Sequence, residues 1–497
     1  MKTFLLTLLV FIQLFSFAIA DELLFVQAIW RHGDRTPAAT YPTDPYINYS
    51  WPQGWGALTF KGMEQHLHLG KRLRDRYVAQ LGFISSEYNS SEVYIRSTDV
   101  DRTLMSAMSN MVGMFPGSPG DFPDDQDWPV SGNKYGWVPV PIHTVNIIDD
   151  YVLIPDLPCN RQDELHELGK ETPEYQQLSE NMTDFLDLVR NETGLPLLDL
   201  GYLPAILDAL AVEDEYGLSL PDWVVQNWTD SGKTVYDVMN ETSNIVGYWS
   251  NGLKLEPMEG IDFSIEIPKL RGGPLLWTLI DNMQQKLYCV DNPTDVENCT
   301  LFGNLKYYAY SGHDVTIASL FSALGFKMTN WNEDGFPKYS SCVTVELWRT
   351  ENKTNYVKFM YFPPDQDTAD MTDSVSNCGK TCTLESLKNR SQIYNPLPDI
   401  QTLYSFADTE IDLDNNKTTG ADDLQYSTIP TGTKSFHDYL PVNLTGVGVI
   451  IGFAIIGILI ILWCFCLDRE QNKEMHINHG KESKQLLIST ISHPDDV

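Results

Sequence analysis

Two short polar segments of the sequence concentrate the residue types that handle anions and protons. Residues 31–37 (RHGDRTP) place a histidine between arginines, and residues 311–314 (SGHD) end on histidine and aspartate. The side chains that could act together are Arg31, His32, Arg35, Arg102, His313 and Asp314. Three arginines and two histidines in one pocket of an acidic protein call for an anion. Planar guanidinium groups match the oxygens of a phosphate and keep their charge at any relevant pH.

These six residues divide into groups that react and groups that bind. One histidine can attack phosphorus while the other can only bind, because a nucleophile must lie in line with the leaving group. Asp314 is the natural proton donor to the departing alkoxide. Adjacent guanidinium charges lower the pKa of an imidazole and keep it neutral in mild acid, which is the state that attacks.

The first segment is far more specific than the second. R-H-G-x-R-x-P fixes five positions, and at roughly 1/20 per position its chance occurrence in a chain of this length is on the order of 10⁻⁴. A lone arginine is usually a solvated surface residue, and a lone histidine usually has a structural role. The His313-Asp314 pair carries weight only because it follows a predicted strand and precedes a predicted helix.

Three strand–turn–helix units position these side chains. The strands are predicted at Leu23–Trp30, Val93–Ile95 and Leu305–Tyr310, and the helices at Thr59–Leu81, Arg102–Phe115 and Thr316–Leu324, with a hairpin at Val343–Trp348 and Tyr356–Phe362. Thr59 is placed to cap its helix. The almost continuous apolar run of the first strand is typical of a strand buried on both faces. Ligands of open α/β sheets bind just outside the carboxyl ends of the strands, and all three polar turns lie there.

Composition and charge restrict the partners. The 497 residues include 34 Lys and Arg against 67 Asp and Glu, which gives a net charge of −33. A surface so acidic repels phosphate backbones, so nucleic acid is excluded as a partner. Residues 145–260 lack strand patterns and are predicted to form a helical insertion that covers the sheet. Residues 408–445 are polar and acidic and are predicted to form a stalk.

Both ends of the sequence carry targeting signals. Residues 1–20 have a basic start, a short apolar run and an Ala-x-Ala site, the pattern of a secretory signal peptide. Residues 446–467 are apolar and uncharged and long enough to cross a bilayer. Residues 468–497 form a polar tail. The pattern predicts a single-pass type I membrane protein whose residues 21–445 lie in the lumen of lysosomes or endosomes or outside the cell.

Glycosylation and sorting motifs agree with that topology. All eleven Asn-x-Ser/Thr sites fall on the lumenal side. They are Asn48, Asn89, Asn181, Asn191, Asn227, Asn240, Asn298, Asn352, Asn389, Asn416 and Asn443. In the tail, Glu482 with Leu486 and Leu487 resembles the acidic dileucine signals read by endolysosomal sorting adaptors, which makes such an adaptor a candidate partner.

Six of the eight cysteines lie on the lumenal side, where up to three disulfides are expected. The pairs predicted from spacing are Cys378–Cys382 and Cys289–Cys299, with Cys159–Cys342 as the remaining pair. No second pair of ligands follows the C-x-x-x-C at zinc spacing, so no metal site is predicted there.

The other histidines favour structural roles. His66 and His68 are two apart on a predicted helix and face different directions, so they are poor partners for a metal. His143 follows a Pro-Ile pair and either lines the entrance of the pocket or packs against its neighbours.

The sequence resembles the histidine acid phosphatase family, especially its prostatic and lysosomal types. The segments that carry the resemblance are RHGDRTP (31–37), LTFKGMEQHLHLGKRLRDRY (58–77), VYIRSTDVDRTLMSAMSN (93–110), WVPVPIHT (137–144), YSGHDVT (310–316) and PKYSSCVTVELW (337–348). The match spans essentially residues 21–407, the predicted phosphatase ectodomain. The signal peptide, single late span and short tail resemble the membrane-anchored lysosomal type.

This resemblance implies an α/β fold with a central mixed sheet flanked by helices, similar to phosphoglycerate mutase, and a helical cap. It implies His32 as a nucleophile that forms a phosphohistidine, and Asp314 as the general acid. The residues it implies as the phosphate clamp are Arg31, Arg35, Arg102 and His313. The resemblance implies no metal or other cofactor. It does imply a homodimer. The family's cysteine pattern is only partly matched, so its disulfides are not carried over.

The leading hypothesis is a metal-independent acid phosphatase of broad specificity that hydrolyses phosphate monoesters to alcohol and inorganic phosphate. Substrate choice lies in the cap, so a narrow phosphatase for inositol phosphates or lysophospholipids remains open. An acidic cap disfavours a polyanionic inositol phosphate. A non-catalytic surface glycoprotein derived from a phosphatase is a further alternative. Such a protein would be free to lose His32 or Asp314, and both are present.

Overall fold

A seven-stranded sheet lies at the centre of the computed structural model, which describes residues 21–116, 139–229, 232–326 and 336–396. The strands are β1 (Glu22–Arg31), β2 (Val93–Ser97), β3 (Ile142–Thr144), β4 (Asn227–Trp228), β5 (Lys233–Thr234), β6 (Tyr307–Gly312), β7 (Cys342–Arg349), β8 (Asn355–Phe362) and β9 (Ala369–Asp370). The helices are α1 (Phe60–Arg74), α2 (Asp101–Met114), α3 (Asn160–Lys170), α4 (Pro173–Asn181), α5 (Thr183–Thr193), α6 (Leu203–Glu215), α7 (Asp222–Val225), α8 (Val235–Ser250), α9 (Phe263–Arg271), α10 (Gly273–Asp291), α11 (Asp314–Leu324) and α12 (Leu384–Arg390). A π-helical turn, Asp75–Gln80, extends α1.

The sheet is mixed, as the resemblance implied. Its strand order is β3-β2-β6-β1-β7-β8-β9. Neighbours from β3 to β1 are parallel, and neighbours from β1 to β9 are antiparallel. The predicted hairpin is confirmed as β7 and β8. The three predicted strand–turn–helix units are confirmed as β1–α1, β2–α2 and β6–α11.

Both faces of β1 are buried, which explains its apolar run. Phe25 and Ile29 belong to the core that contains side chains of α10 and α11. Val26, Ala28 and Trp30 belong to the core on the side of α1 and α2. Full burial of a large apolar side chain contributes about 1.5–3 kcal/mol, so the two cores together hold this strand in one position.

The turn after β1 lies directly on the start of α1. Thr59 caps the helix by accepting a hydrogen bond from the backbone N–H of Gly62. A side chain at Gly33 would collide with the backbone of Gly62, and a side chain at Gly62 would collide with the backbone of Asp34. The glycine of R-H-G is therefore required for this close approach.

Residues 145–260 are mostly helical and, together with Tyr41, form a separate hydrophobic core. They contain α3 to α8 and the short antiparallel pair β4 and β5. Phe185 of α5, Leu203 and Leu210 of α6 and Met239 of α8 are buried in this core. We refer to residues 145–260 as the cap.

The two local disulfides are confirmed, but the third predicted pair is wrong. Cys289 is bonded to Cys299 and Cys378 to Cys382. Cys159 and Cys342 are both free and buried. Cys342 begins β7 in the core beneath α1 and α2, whereas Cys159 lies in a small cluster at the start of α3. The third pair was predicted only because these two cysteines remained after the local pairs were assigned. The prediction failed because each thiol is buried as an apolar side chain in a different cluster.

The predicted signal peptide, stalk, membrane span and tail lie outside the described residues, and so do Asn416, Asn443 and the Glu482 motif. Within the part of the chain that the structure describes, no helix is both long enough and apolar enough to span a bilayer.

Candidate active site

The parallel register of β1 and β6 brings the two polar segments together. Arg31, the last residue of β1, pairs with Gly312, the last residue of β6. The backbone N–H of His32 donates to the carbonyl oxygen of Gly312 at 3.0 Å. The rings of His32 and His313 lie edge to face with centroids 5.5 Å apart. Residues 250 positions or more apart in sequence thus meet at one edge of the sheet.

The imidazole of His32 is held in one tautomer. Its Nδ1 lies 2.8 Å from the carbonyl oxygen of Gly33. A carbonyl only accepts, so Nδ1 carries the proton and Nε2 carries the lone pair. His32 is 2% exposed. Burial, followed by the charges of Arg102 and Arg31, lowers its pKa well below the ordinary value. The ring is therefore neutral in mild acid and presents an unprotonated Nε2.

Both ring nitrogens of His313 lie within hydrogen-bonding distance of protein groups. Arg102, in the first turn of α2, points Nη2 at Nδ1 of His313 across 3.4 Å. Because a guanidinium only donates, Nδ1 accepts and Nε2 carries the proton. That Nε2 lies 3.1 Å from Oγ1 of Thr98. Burial, then the charge of Arg102, lowers the pKa of His313. The arrangement suits a neutral hydrogen-bonding group. The geometry therefore distinguishes the two histidines, whose roles the residue patterns left open and only the family resemblance implied.

Arg31 connects the first segment to Asp314. Its Nη2 pairs with Oδ2 of Asp314 at 2.8 Å, and its Nη1 donates to the carbonyl oxygen of Pro337 at 2.8 Å. The guanidinium carbon stacks 4.1 Å from the ring centre of Tyr339. Burial would raise the pKa of Asp314, but the charges of Arg31 and Arg35 outweigh it and lower that pKa. The unliganded site therefore holds an ionised Asp314 rather than the protonated acid expected at turnover.

Arg35 is held by the cap. Its Nη1 and Nη2 donate to the two carboxylate oxygens of Asp208 on α6, at 3.0 and 2.9 Å. A bidentate pair of this kind fixes the plane of the guanidinium group. Burial opposes the charge of Arg35, but Asp208 raises its pKa above the ordinary value. Sequence reasoning missed Asp208 because one aspartate in an acidic insertion gives no signal.

The six predicted side chains lie in one site, since Arg35 also acts electrostatically on His32, His313 and Asp314. Tyr339 and Thr98 were missed, although Tyr339 falls in a segment that carried the family resemblance. Within the described ranges, no group of three or more histidine, cysteine, aspartate or glutamate side chains is positioned to hold a metal ion.

Three further described histidines, His66, His68 and His143, lie outside this site. His66 is buried, and its Nε2 donates to the carbonyl oxygen of Arg31 at 3.0 Å. It supports the backbone of the first segment. His68 is exposed. His143 stacks on Tyr94 with ring centres 4.4 Å apart, so it packs on the sheet edge.

A buried carboxyl pair joins α6 to the loop that follows the first segment. Glu213, one of its members, is fully buried, and no donor group among the described residues bonds to its carboxylate oxygens. Its neighbour Asp44 accepts from Thr40 and from the backbone N–H of Tyr46. Burial, with Asp44 beside it, raises the pKa of Glu213 to about 8. Glu213 is therefore protonated in an acidic compartment.

This carboxyl pair predicts that Glu213 contributes more to stability in acid than at neutral pH. The pKa of Glu213 is about 8 in the folded protein and about 4.3 in an unfolded chain. The folded state thus holds an extra proton between these values, and stability falls as pH rises through that window. The contribution of Glu213 to the free energy of unfolding should fall by on the order of 3 kcal/mol between about pH 5 and pH 8.

Differential scanning calorimetry of Glu213→Gln tests this. The variant should match the wild type at about pH 5 and exceed it at about pH 8, because glutamine mimics the protonated acid. Asp214→Asn, an exposed position on the same helix, is the control. Equal pH dependence in Glu213→Gln and the wild type would contradict the assignment.

The fold and this site define a class of enzyme that moves phosphate through a histidine. A family model described as the histidine phosphatase superfamily (branch 2) matches residues 22–361. The chain belongs to that superfamily, so the resemblance found in the sequence is confirmed.

Sequence relatives show which kind of histidine phosphatase this chain resembles. The chain is 36% identical over 396 residues to the lysosomal acid phosphatase of Homo sapiens, covering 79% of this chain and 83% of that one. It is 32% identical over 368 residues to the prostatic acid phosphatase of Mus musculus, covering 74% of this chain and 85% of that one. As predicted, the protein is an acid phosphatase of the histidine type, a phosphoric monoester hydrolase.

Solved structures agree on the fold. The phytase of Hafnia alvei in complex with tartrate has a TM-score of 0.53 at 15% identity and covers 77% of this chain and 99% of that one. The phytase of Citrobacter braakii has a TM-score of 0.52 at 13% identity, and the match covers 76% of this chain and 99% of that one. At these identities the likeness extends to the fold alone.

Proposed function

We propose that His32 takes the phosphoryl group from a phosphate monoester and passes it to water, without a metal. The observation that supports this is the tautomer of His32. The Gly33 carbonyl oxygen holds the proton on Nδ1, so Nε2 has the lone pair that an attack on phosphorus requires.

In the first step, Nε2 of His32 forms a bond to phosphorus as the bond to the ester oxygen breaks. Asp314 in its protonated form gives its proton to that oxygen, which leaves as a neutral alcohol. The positive charges of Arg31, Arg35 and Arg102 match the charge on the three phosphoryl oxygens. Fixed guanidinium groups thereby supply the stabilisation that a metal supplies in other phosphatases.

In the second step, water attacks the phosphohistidine. Asp314, now a carboxylate, accepts a proton from the water as the new P–O bond forms. The P–N bond breaks, its electron pair returns to Nε2 of His32, and inorganic phosphate leaves. Asp314 holds this proton while phosphate is bound and returns to the ionised form, paired with Arg31, when the site is empty.

The state of Asp314 gives a reason for an acid optimum. Without substrate it is an ion pair with Arg31. A phosphate that binds between the arginines competes for Arg31 and adds negative charge, and both effects raise the pKa of Asp314. Phosphate monoesters have a second pKa of about 6. Below that pH they carry the required proton into the site themselves.

Charge in the cap supports small monoesters as substrates. Residues 145–260 contain 23 Asp and Glu against five Lys and Arg. Several phosphates on one substrate would meet this negative charge, whereas a single phosphate is matched by the arginines. We therefore favour broad action on monoesters over action on inositol polyphosphates.

We infer the compartment from the sequence and from the relatives named lysosomal. A cleaved leader and one span at 446–467 would make residues 21–445 a lumenal glycoprotein of the lysosome. In support, eight of the nine described sequon asparagines are exposed, and Asn240 is partly exposed. A homodimer and an adaptor at the tail remain predictions.

The proposed function is tested with the full chain, expressed in cells that glycosylate and purified in detergent. We expect hydrolysis of p-nitrophenyl phosphate at about pH 5 to persist in excess chelator, because arginines rather than a metal stabilise the transferring group. Release of p-nitrophenolate is the measurement. Activity that is lost in chelator and restored by zinc or magnesium would overturn the mechanism.

A further inference from the structure

A cleft lined by aromatic side chains lies where the start of α1 meets the end of α6. Its volume is about 300 Å³, and its walls include Tyr49, Trp51, Phe60 and Tyr216. We call it the aromatic cleft. Phe60 is 77% exposed, Tyr49 is 41% exposed and Tyr216 is 40% exposed. Apolar rings that are exposed together and bordered by polar groups are typical of a binding surface.

Two of these rings are held in place by the protein. Trp51 is buried and meets Tyr49 and Tyr216 edge on, with ring centres 4.8 and 5.5 Å apart. The hydroxyl of Tyr216 also donates to Oδ2 of Asp34 at 2.6 Å. The positions of these rings are therefore set before any ligand binds, which lowers the cost of binding.

Polar side chains in the same cleft suit a ligand that carries hydroxyl groups. Gln53, Lys61 and Glu215 contribute to the lining, and Lys61 forms an ion pair with Glu215. Together they offer both donors and acceptors of hydrogen bonds. A sugar ring has apolar C–H faces, which pack on the negative face of an aromatic ring, and a rim of hydroxyl groups. The aromatic cleft thus supplies both kinds of contact that a sugar makes.

A glycosylation sequon borders the aromatic cleft. Asn48 directly precedes Tyr49, and Ser50 completes the sequon. Asn48 lies in a turn in which the backbone N–H of Tyr49 donates to the carbonyl oxygen of Tyr46 at 2.8 Å. Asn48, Tyr49 and Ser50 are all exposed. An asparagine in an exposed turn is open to glycosylation, and a sugar attached there starts one residue away from the wall of the cleft.

We propose that the N-linked glycan of Asn48 lies in the aromatic cleft and packs its first sugar rings on Tyr49 and Phe60. This inference rests on the lumenal location proposed above and not on the phosphohistidine step. A sugar attached beside the cleft has a high effective concentration there, so weak contacts with the rings are enough to hold it. A volume of about 300 Å³ is at the low end for small-molecule sites and suits the first sugars of a glycan. The glycan then covers apolar surface that water would otherwise contact.

Glycopeptide mass spectrometry of the full chain, purified from cells that glycosylate, tests the attachment. We expect sugar at Asn48 in most molecules. Ser50→Ala should remove that sugar and leave the one at Asn352, an exposed sequon in the turn between β7 and β8, and Thr354→Ala should do the reverse. Sugar at other sequons with none at Asn48 would overturn this inference alone. No sugar at any sequon would overturn the proposed lumenal location together with it.

Thermal unfolding of the same proteins tests whether the attached sugar packs on the rings. Ser50→Ala should lower the melting temperature by about 1–3 °C, the shift expected for one or two contacts of aromatic strength. Phe60→Ala should lower it by a similar amount in the wild type. In the Ser50→Ala background Phe60→Ala should lower it by less than about half as much, because the sugar that the ring contacts is gone. In the Thr354→Ala background, which keeps the sugar at Asn48, Phe60→Ala should act in full.

Equal losses from Phe60→Ala with and without the sugar would overturn the packing and assign the cleft to another occupant, such as a second copy of the chain. Hydrolysis of p-nitrophenyl phosphate, measured on the same samples, tests the mechanism separately. A protein that fails to hydrolyse the ester while the two substitutions remain coupled in melting temperature would overturn the phosphatase mechanism and leave the glycan site in place.

Discussion

Replacement of His32 by alanine is expected to lower kcat for p-nitrophenyl phosphate by about 10⁴-fold or more, the scale seen when a covalent nucleophile is removed. The leaving group needs no help to depart, so the loss reports the attack itself. The arginines and His313 remain, so phosphate should still bind. The variant should also retain its fold, because His32 contributes one hydrogen bond through its ring.

Rapid acid or base quenching with ³²P-labelled substrate gives a second readout. The wild type should yield a phosphoenzyme that is labile in acid and stable in base, as expected of a phosphohistidine. His32→Ala should yield none. His68→Ala, an exposed histidine on α1, is the matched control and should behave as the wild type. A labelled enzyme in His32→Ala, or more than about 1% of wild-type activity, would assign the attack to another group.

Replacement of Asp314 by asparagine is expected to lower the rate of phosphoenzyme formation by an amount that depends on the leaving group of the substrate. For 2-glycerophosphate, kcat/KM should fall by about 10²–10⁴-fold, because an alkoxide must be protonated as it leaves. For p-nitrophenyl phosphate the formation of the phosphoenzyme should fall far less, because the nitrophenolate leaves without a proton. Hydrolysis of the phosphoenzyme should slow with both esters, because water loses its base.

Stopped-flow measurement distinguishes these steps. Asp314→Asn should show a burst of nitrophenolate close to one equivalent per site, followed by slow turnover. With 2-glycerophosphate, whose leaving group needs the proton, it should also lose the fall in phosphorylation rate that the wild type shows as pH rises, since that fall reflects loss of the acid form of Asp314. Asp149→Asn, an exposed carboxyl, serves as the control. An equal loss of the phosphorylation rate for both esters would remove Asp314 from the role of proton donor.

The local structure that carries this site follows directly from the sequence. The apolar run at 23–30 becomes β1, with one face in each of two cores. Thr59 caps α1 where the pattern placed it. The helices after β2 and β6 begin at Asp101 and Asp314, within two residues of the prediction. These features depend on neighbours a few residues apart, so periodicity and capping reveal them.

Contacts between residues far apart in the sequence could not be predicted from periodicity and capping. Cys159 and Cys342 looked like a pair only because the other cysteines had closer partners, and the fold places them in separate clusters. Asp208 was one aspartate among many until α6 set it against Arg35. Charge and spacing in a sequence do not specify which helix of an insertion faces a pocket.

By itself, the sequence determined that three arginines, two histidines and Asp314 lie at the carboxyl ends of parallel strands. Strand patterns and polar turns depend only on residues close together in the sequence, so they can be identified there. The residue patterns did not decide which histidine is free to react; the family resemblance implied His32, and only the tertiary structure shows the physical reason. That choice depends on hydrogen bonds to the Gly33 carbonyl oxygen for His32, and to Arg102 and Thr98 for His313. Two of those three partners lie more than 200 residues from the ring that they hold, and a proton's position on an imidazole is set by what lies within about 3 Å of each nitrogen.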